Sequence, residues 1–259
     1  MSLAGRFLIQ LRSDLKIFVR NPAALFFTAI LPVIFLTLFV MIFGNERAEE
    51  FGNVRVATLQ VPAFIALAVV SASFVALAIG LTGVREDGVL KRIRGTPAPP
   101  SLVFAGRIGT AFVSASIVTA ILCAIGALAF GVSLPASKLP GLVVTLFVGA
   151  AAFCALGIAY TRLISTEDAA PAMTNAVVLP LYFISGVFVP VSELPDGLRT
   201  VAGVLPVKPF VDALTECFDP RTTGLGFDGP ALLVVAAWGL AGLVLAVRFF
   251  VWTPRHQAG

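Results

Sequence analysis

The sequence is poor in charge and in the side chains that carry most enzyme chemistry. Asp, Glu, Lys and Arg make up 12% of its 259 residues, about half the 25% usual in soluble domains. A soluble monomer with so few charges would expose apolar patches larger than monomers carry. The sequence has one histidine, His256, which lies near the C-terminus, so we expect no histidine-based metal site or catalytic triad. These absences indicate an integral membrane protein.

The sequence also lacks the patterns that mark disulfide-bonded proteins, metalloproteins, common enzymes and nucleic-acid-binding proteins. Cys123, Cys154 and Cys217 are widely spaced and odd in number, so we expect free thiols rather than a disulfide framework or metal site. No G-x-x-x-x-G-K-[ST] phosphate loop, H-E-x-x-H motif or G-x-S-x-G motif occurs. The basic residues form no continuous patch, so nucleic acid is not an expected partner. We therefore expect no metal or cofactor in this chain and no enzymatic activity of its own.

The chain is instead rich in long apolar runs. Hydrophobic residues make up 58% of it, and a membrane-spanning helix needs about 20 consecutive apolar residues. The sequence predicts an all-α membrane protein with a transmembrane domain over residues 23–252 and a cytoplasmic tail over 253–259. Its six predicted spans cover about residues 23–44, 62–83, 108–130, 141–161, 169–189 and 230–252.

The charges that do occur lie between these spans. With the N-terminus inside, the inner segments hold 12 Lys and Arg against 5 Asp and Glu, and the outer segments hold 6 against 9. The excess of basic residues predicts that both termini are cytoplasmic. No Asp, Glu, Lys or His lies at a span centre, which argues against a proton relay or an intramembrane enzyme. Energy for uphill transport would have to come from another subunit.

The pattern of side chains in residues 1–22 predicts an amphipathic helix that lies on the membrane surface. Its apolar side chains recur at helical spacing, with basic and polar residues mostly on the other side. The apolar stripe comprises Leu3, Phe7, Leu11, Leu15 and Phe18. After Arg20, the pair Asn21-Pro22 would end this helix and begin the first span. The alternative is a basic tail without regular structure.

Residues 84–100 form the most charged stretch, on the predicted cytoplasmic side. Acidic residues precede basic ones, which suits the dipole of a short helix. The charged and flexible positions are Glu86, Asp87, Gly88, Lys91, Arg92 and Arg94. So short a helix needs a surface to pack on, and we expect it to dock onto a cytoplasmic partner. The alternative is that these charges only set the topology.

Residues 190–229 are too long for a simple loop and too apolar for a solvated one. Leu198, Val201 and Leu205 fall at helical spacing, as do Phe210 and Leu214 followed by Phe218. This pattern predicts two short helices that dip into the outer leaflet. A plain extracytoplasmic loop is the alternative.

In this order, the segments resemble the type-2 integral-membrane permeases of ABC exporters over about residues 10–252. The likeness rests on three segments. The first span begins at Arg20-Asn21-Pro22, and Pro32 follows ten residues later. The other two are the charged segment 85–97 and the segment 182–190, which is followed by the pairs Leu194-Pro195 and Leu205-Pro206. Segment 182–190 is similar to the drug-exporter branch, typified by daunorubicin-resistance permeases. Lys91 stands where that branch commonly has Glu.

The resemblance implies a half-transporter. Two permease chains, identical or related, would assemble with two ATP-binding cassette subunits, which would supply the ATP and Mg²⁺ chemistry. The chain would sit in the bacterial inner membrane and export an amphipathic or hydrophobic compound such as a drug, an antibiotic or a lipid.

Four polar residues of the predicted fifth span would line the path of the compound, or would only form hydrogen bonds between helices. They are Thr174, Asn175, Tyr182 and Ser185. Export of a polysaccharide or glycolipid is one alternative, although 2 Trp and 2 Tyr provide few stacking surfaces. A membrane scaffold or sensor subunit is the other.

Overall fold

A computed structural model of the chain describes residues 5, 9, 11–13, 15–16, 19–48, 54–94, 100–133, 136–251 and 253. These residues are mostly helical, because long apolar segments satisfy their backbone groups within a helix. The main helices, in chain order, are α1 (Pro22–Phe43), α2 (Val56–Glu86), α3 (Val89–Arg94), α4 (Pro100–Phe130), α5 (Leu139–Tyr160), α6 (Ala170–Ile184), α7 (Asp196–Val204), α8 (Val207–Phe218) and α9 (Gly229–Phe249). Single π-helical turns interrupt α1 at Phe26–Ile30 and α2 at Ser71–Val75.

Among the described residues, five helices are long and apolar enough to cross a membrane. They are α1 from Phe26 to Phe43, the whole of α2, α4 from Ala105 to Phe130, α5 together with the helical turn before it (Ala136–Tyr160), and α9. The predicted fifth span is represented by α6, which is apolar but has 15 residues. Such a helix rises about 22 Å, less than a hydrocarbon core of about 30 Å. The structure therefore supports a multi-pass helical protein, with five spans by length.

Several predicted boundaries need correction. The fifth span was expected to run to Val189, but α6 ends at Ile184, and residues 185–189 form turns and bends. Gly186 has φ +85°, a conformation that glycine adopts readily and that ends the helix. The helix of the last predicted span, α9, ends at Phe249, before residue 252. The all-α expectation also needs an addition, because β1 (Arg47–Ala48) pairs antiparallel with β2 (Val54–Arg55).

The centre of the bundle is α2, most of whose side chains are buried against α1, α4, α5 and α8. On the far side, α9 packs closely along α5. A Cβ atom added at Gly239 would meet Ala152 at 2.8 Å, and one added at Gly242 would meet the backbone of Leu156 at 2.8 Å. Small residues allow this close approach between apolar helices.

The two short helices predicted within 190–229 differ in burial. In α7, Leu198 and Val201 are exposed. In α8, by contrast, Phe210, Leu214 and Phe218 are fully buried, and α8 packs on α2, α5 and α9. The apolar stripe of α8 thus lies in the protein core rather than in lipid.

A buried lysine fixes the end of α8. Lys138 is 2% exposed, and its Nζ donates hydrogen bonds to the carbonyls of Glu216 and Asp219 and to the hydroxyl of Thr222. A cation at the C-terminal end of a helix also interacts favourably with the helix dipole. Hydrogen bonds from Arg221 hold the pKa of the Asp219 carboxyl below its usual value.

Little of the N-terminal segment is described. Residues 5, 9, 11–13, 15–16 and 19 are helical, with Leu11 and Leu15 half-buried and Arg12 and Lys16 exposed. Phe7, predicted on the apolar stripe, lies outside the described residues, as do Leu3 and Phe18. The membrane-surface role of residues 1–22 stays a prediction.

Candidate functional site

A cavity of about 910 Å³ lies between α1, α2 and α6. Three of its lining residues, Asn21, Asp87 and Glu167, lie at the end of these helices where α1 starts and α2 stops. At the opposite end the lining includes Phe188 and Val189, beyond the end of α6. The cavity therefore follows most of α1 and α6 and the second part of α2, from Leu67 onward.

Aromatic side chains form much of its wall. Phe35 packs edge-on against Phe188 with ring centroids 5.4 Å apart, and Phe39 lies 6.2 Å from the same ring. Tyr182 packs edge-on against Phe188 at 6.0 Å. Phe27 and Phe183, both about half exposed, complete the set. The geometry can accommodate a large apolar or aromatic molecule.

The four polar residues predicted for the fifth span have different surroundings. Asn175 and Tyr182 line the cavity, and the Tyr182 hydroxyl lies 3.2 Å from both the Ser71 hydroxyl and the Leu67 carbonyl on α2. Thr174 is fully buried and bonds the Ala170 carbonyl of its own helix at 2.8 Å. Ser185 follows the end of α6 and is fully buried outside the cavity lining. Tyr182 thus both lines the cavity and bonds between helices.

At the Asp87 end of the cavity, the chain turns sharply from α2 into α3. Glu86 is the last residue of α2, and the Asp87 amide donates to the Gly83 carbonyl at 2.9 Å. Gly88 has φ +71°, which L-residues rarely adopt. The sequence placed Glu86 and Asp87 at the start of the short docking helix predicted within residues 84–100, whereas the structure has them at the end of α2 and in the turn. The turn needs Gly88 for its backbone conformation.

The short helix α3 has an inner and an outer side. Leu90 is 1% exposed and packs in a cluster with Leu81 of α2, Ile158 of α5 and Ala246 of α9. Lys91 and Arg92 are exposed. Arg94 is the last residue of α3, but its side chain lies outside the described residues, as do residues 95–99 of the predicted segment 84–100. Leu90 anchors α3 to the bundle while Lys91 and Arg92 face outward.

A buried arginine next to the turn joins it to the loop between α5 and α6. Arg85 is 1% exposed; its guanidinium donates to the carbonyls of Thr161 at 2.9 Å and Ile164 at 3.0 Å. Its Nε also lies 2.8 Å from a carboxylate oxygen of Glu86. Charge-assisted hydrogen bonds of this kind are the strong ones. Arg85 therefore fixes the position of residues 161–164 relative to the end of α2.

The same loop brings Glu167 against α2. A Cβ atom added at Gly83 would lie 2.9 Å from Oε1 of Glu167, so the carboxylate rests where a side chain would otherwise be. Sequence reasoning missed Glu167, Arg85 and Thr28 as site residues. Arg85 was counted as a topological charge and as part of the charged segment 85–97, and no local pattern marked Thr28 or Glu167. Only the packing of α1 and α6 against α2 brings them to the site.

Within the described residues, no group of three His, Cys, Asp or Glu side chains is placed to hold a metal ion. The three cysteines are free thiols, with Cys154 and Cys217 buried. Burial raises the pKa of Cys217, which lies on α8, to about 11. The site thus consists of an apolar cavity with a carboxylate-bearing end and an adjacent basic helix.

Comparison with known proteins gives a family and several relatives. The family described as ABC-2 type transporter matches residues 6–218. The inner membrane transport permease YadH of Escherichia coli (strain K12) is 24% identical over 183 residues, which cover 70% of this chain and 71% of that protein. YadH of Shigella flexneri has the same identity and coverage. The probable multidrug ABC transporter permease YbhR of Escherichia coli (strain K12) is 23% identical over 158 residues, which cover 61% of this chain and 43% of that protein.

Proposed function

Because this chain belongs to the ABC-2 type transporter family, we propose that it is the permease subunit of an ATP-driven exporter of amphipathic or hydrophobic compounds. The observation that carries the proposal is the aromatic cavity that follows α1, α2 and α6 beside a basic helix. The cavity supplies half of a path for the compound. The helix supplies a surface for the subunit that hydrolyses ATP.

In this proposal the membrane is the bacterial inner membrane, as in the names of the YadH relatives. The short helix α6 completes six spans together with the turns that follow it, and both termini face the cytoplasm. Two permease chains, identical or related, enclose the path, and two ATP-binding cassette subunits dock beneath them. ATP and Mg²⁺ belong to those subunits.

The docking surface is α3 with the turn before it. Lys91 and Arg92 are exposed while Leu90 is buried in the bundle, so a force on α3 reaches the helices through an apolar contact. Through Arg85, the turn is also bonded to the loop that leads into α6. ATPase closure would thus move α3, α2 and the start of α6 together, as rigid elements do in switching proteins.

Reversing the charge of Arg92 tests this docking. We expect Arg92→Glu to insert normally but to lose about tenfold or more of its binding to the ATPase, since like charges at a desolvated contact cost several kcal/mol. The measurement is co-purification from membranes, followed by ATP-dependent export of a fluorescent amphipathic dye in proteoliposomes.

The control is Arg199→Glu, an exposed arginine on α7 that bonds the carbonyls of Ser192 and Leu194 at 3.2 Å and lies 3.7 Å from the Asp196 carboxylate. Arg55 is less suitable because it is half-buried and its guanidinium bonds the Phe130 carbonyl at 3.0 Å. Full ATPase binding and export by Arg92→Glu would refute the docking role. Intact ATPase binding without export of any compound by the unmodified complex would favour a scaffold or sensor.

The orientation has its own test. In a background with Cys123 replaced by Ala, we expect an impermeant maleimide to label Asp196→Cys but not Lys91→Cys in sealed cells. Lys91 serves better than Gly88, because Gly88 has a positive φ that cysteine would strain. Labelling of Lys91→Cys from outside would overturn the topology, whose basis is the excess of basic residues in the inner segments.

A further inference from the structure

We infer that a second groove, between α6 and α9, binds an anionic phospholipid of the membrane, with an acyl chain along the groove and the phosphate beside Arg162. The groove has a volume of about 710 Å³, and none of its described lining residues lines the aromatic cavity. The inference goes beyond the proposed function, because the lipid is a resident ligand and not the exported compound.

The groove has a buried floor and an exposed rim. Its floor includes Phe74 of α2, Phe153 of α5 and Val178 of α6, each at most 7% exposed. Its rim includes Val177 of α6 and Leu245 of α9, which are 38% and 48% exposed. The groove therefore opens between α6 and α9 at the outside of the bundle, where a membrane protein meets lipid.

The length of the groove matches one leaflet. From Trp238 to Phe249, both in the lining, α9 rises about 16 Å, about half of a hydrocarbon core of about 30 Å. Leu205 lines the groove beside Trp238 at the deep end, and Arg162 lines it beyond the end of α5. Under the proposed topology the Arg162 end is cytoplasmic, so the groove suits an acyl chain of the inner leaflet.

The charge of the groove lies at the headgroup end. Arg162 is the charged side chain among the described lining residues, and it is exposed. Arg248, near the end of α9, is a second exposed basic residue at this level. Of the acidic residues in the loop that follows Arg162, Glu167 lies against Gly83 of α2 and Asp168 is outside the lining. Basic pockets between transmembrane helices on the cytoplasmic side bind anionic lipid headgroups.

The rest of the groove suits hydrocarbon. The Tyr160 hydroxyl donates to the Met173 carbonyl at 2.9 Å, and the indole N–H of Trp238 donates to the Val204 carbonyl at 2.7 Å. Apart from these two and Arg162, the described lining side chains are apolar. A sugar or a peptide would bury polar groups there without partners, which costs free energy. An acyl chain would not.

The test uses Trp238 as a fluorescent reporter inside the groove. The sequence has one other tryptophan, Trp252, so Trp252→Phe leaves Trp238 as the sole indole. This full-length variant is reconstituted in phosphatidylcholine vesicles with increasing fractions of dibrominated phosphatidylglycerol or dibrominated phosphatidylcholine, whose bromines lie halfway along the acyl chains. We expect phosphatidylglycerol to quench Trp238 at an about fivefold lower fraction, as expected for one basic residue beside an anionic headgroup.

Two variants in the same background separate the headgroup contact from the acyl contact. Arg162→Gln should reduce the preference for phosphatidylglycerol to within about twofold. Its control is Arg199→Gln, which removes an exposed arginine of α7 outside the lining. Ala176→Phe adds a ring at an exposed lining position and should reduce quenching by both lipids. Its matched control is Ala172→Phe, at an exposed position one turn earlier on α6 and outside both linings.

Equal quenching by the two lipids, or a full preference for phosphatidylglycerol in Arg162→Gln, would overturn the inference. Equal quenching of Ala176→Phe and Ala172→Phe would also overturn it. Absence of quenching by either lipid would show that protein covers the groove, which contradicts a lipid site as well. Because the measurement needs neither an ATPase nor an exported compound, its failure would leave the proposed function untouched.

Discussion

Replacing Arg85 should destabilise the protein more than replacing any exposed basic residue of the same region. Arg85→Met keeps most of the length of the side chain but removes its donors. The carbonyls of Thr161 and Ile164, both in buried residues, would lose the bonds of 2.9 and 3.0 Å that they now accept. Glu86, whose carboxylate lies beside Nε, would lose an opposite charge.

The expected loss is about 3 to 5 kcal/mol. A hydrogen bond to a charged group contributes about 1.5 to 3 kcal/mol, and removing one member of a buried ionic network costs about 3 to 5 kcal/mol. For a chain of this size, each kcal/mol lowers the melting temperature by about 2 to 4 °C. We therefore expect Arg85→Met to melt roughly 10 °C lower.

The assay is thermal unfolding of the detergent-solubilised protein, followed by circular dichroism. Arg92→Met is the matched control, because Arg92 is exposed seven residues further on, and it should melt within about 2 °C of the unmodified protein. Arg85→Lys should fall between the two, since one ammonium replaces a fork of donors. Equal melting of Arg85→Met and Arg92→Met would refute the role of Arg85 as the link between α2 and the α5–α6 loop.

Two further predictions concern the region around α8. Lys138→Met should lower the free energy of unfolding by about 3 kcal/mol, because two helix-end carbonyls lose a charged donor; an unchanged melting temperature would contradict this. Cys217 should stay unmodified by maleimide at pH 7.5, because burial raises its pKa to about 11 and the reactive thiolate forms only as the pH nears that value. Rapid labelling of Cys217 in the folded protein, detected by mass spectrometry, would show that α8 is not packed as described.

The long helices could be predicted from the sequence because each is a long apolar run. The runs around 62–83 and 108–130 are parts of α2 and α4, although both helices extend further. The extensions carry polar residues such as Arg85 and Glu86, which hydropathy assigns to loops. The apolar run also extended the predicted fifth span through residues 185–189. In the structure, Gly186 ends the helix there because it adopts a positive φ. Apolar content thus predicts where helices lie better than where they end.

Buried charges could not be predicted in this way. Counting Lys and Arg for topology treats every one as a loop charge, yet Arg85 and Lys138 are 1% and 2% exposed. Each is buried because backbone carbonyls from a distant segment surround it, 76 to 81 residues away along the chain. Such partners leave no local pattern, since any residue has a carbonyl group. The cavity is hidden for the same reason, because its walls come from three separate helices.

The turn at Gly88 relates the two parts of the proposed mechanism. Asp87 lines the cavity on one side of this turn, while Arg92 is exposed on the helix that follows it. Arg85 bonds the same turn to the loop that carries Glu167. A subunit that pulls on α3 would therefore move the end of α2 and the start of α6 together, and their position relative to α1 on the other side of the cavity would change. Under the proposed function, the affinity of the cavity for its substrate would then depend on the state of the ATPase, because a ligand binds two states differently only where its contacts in them differ.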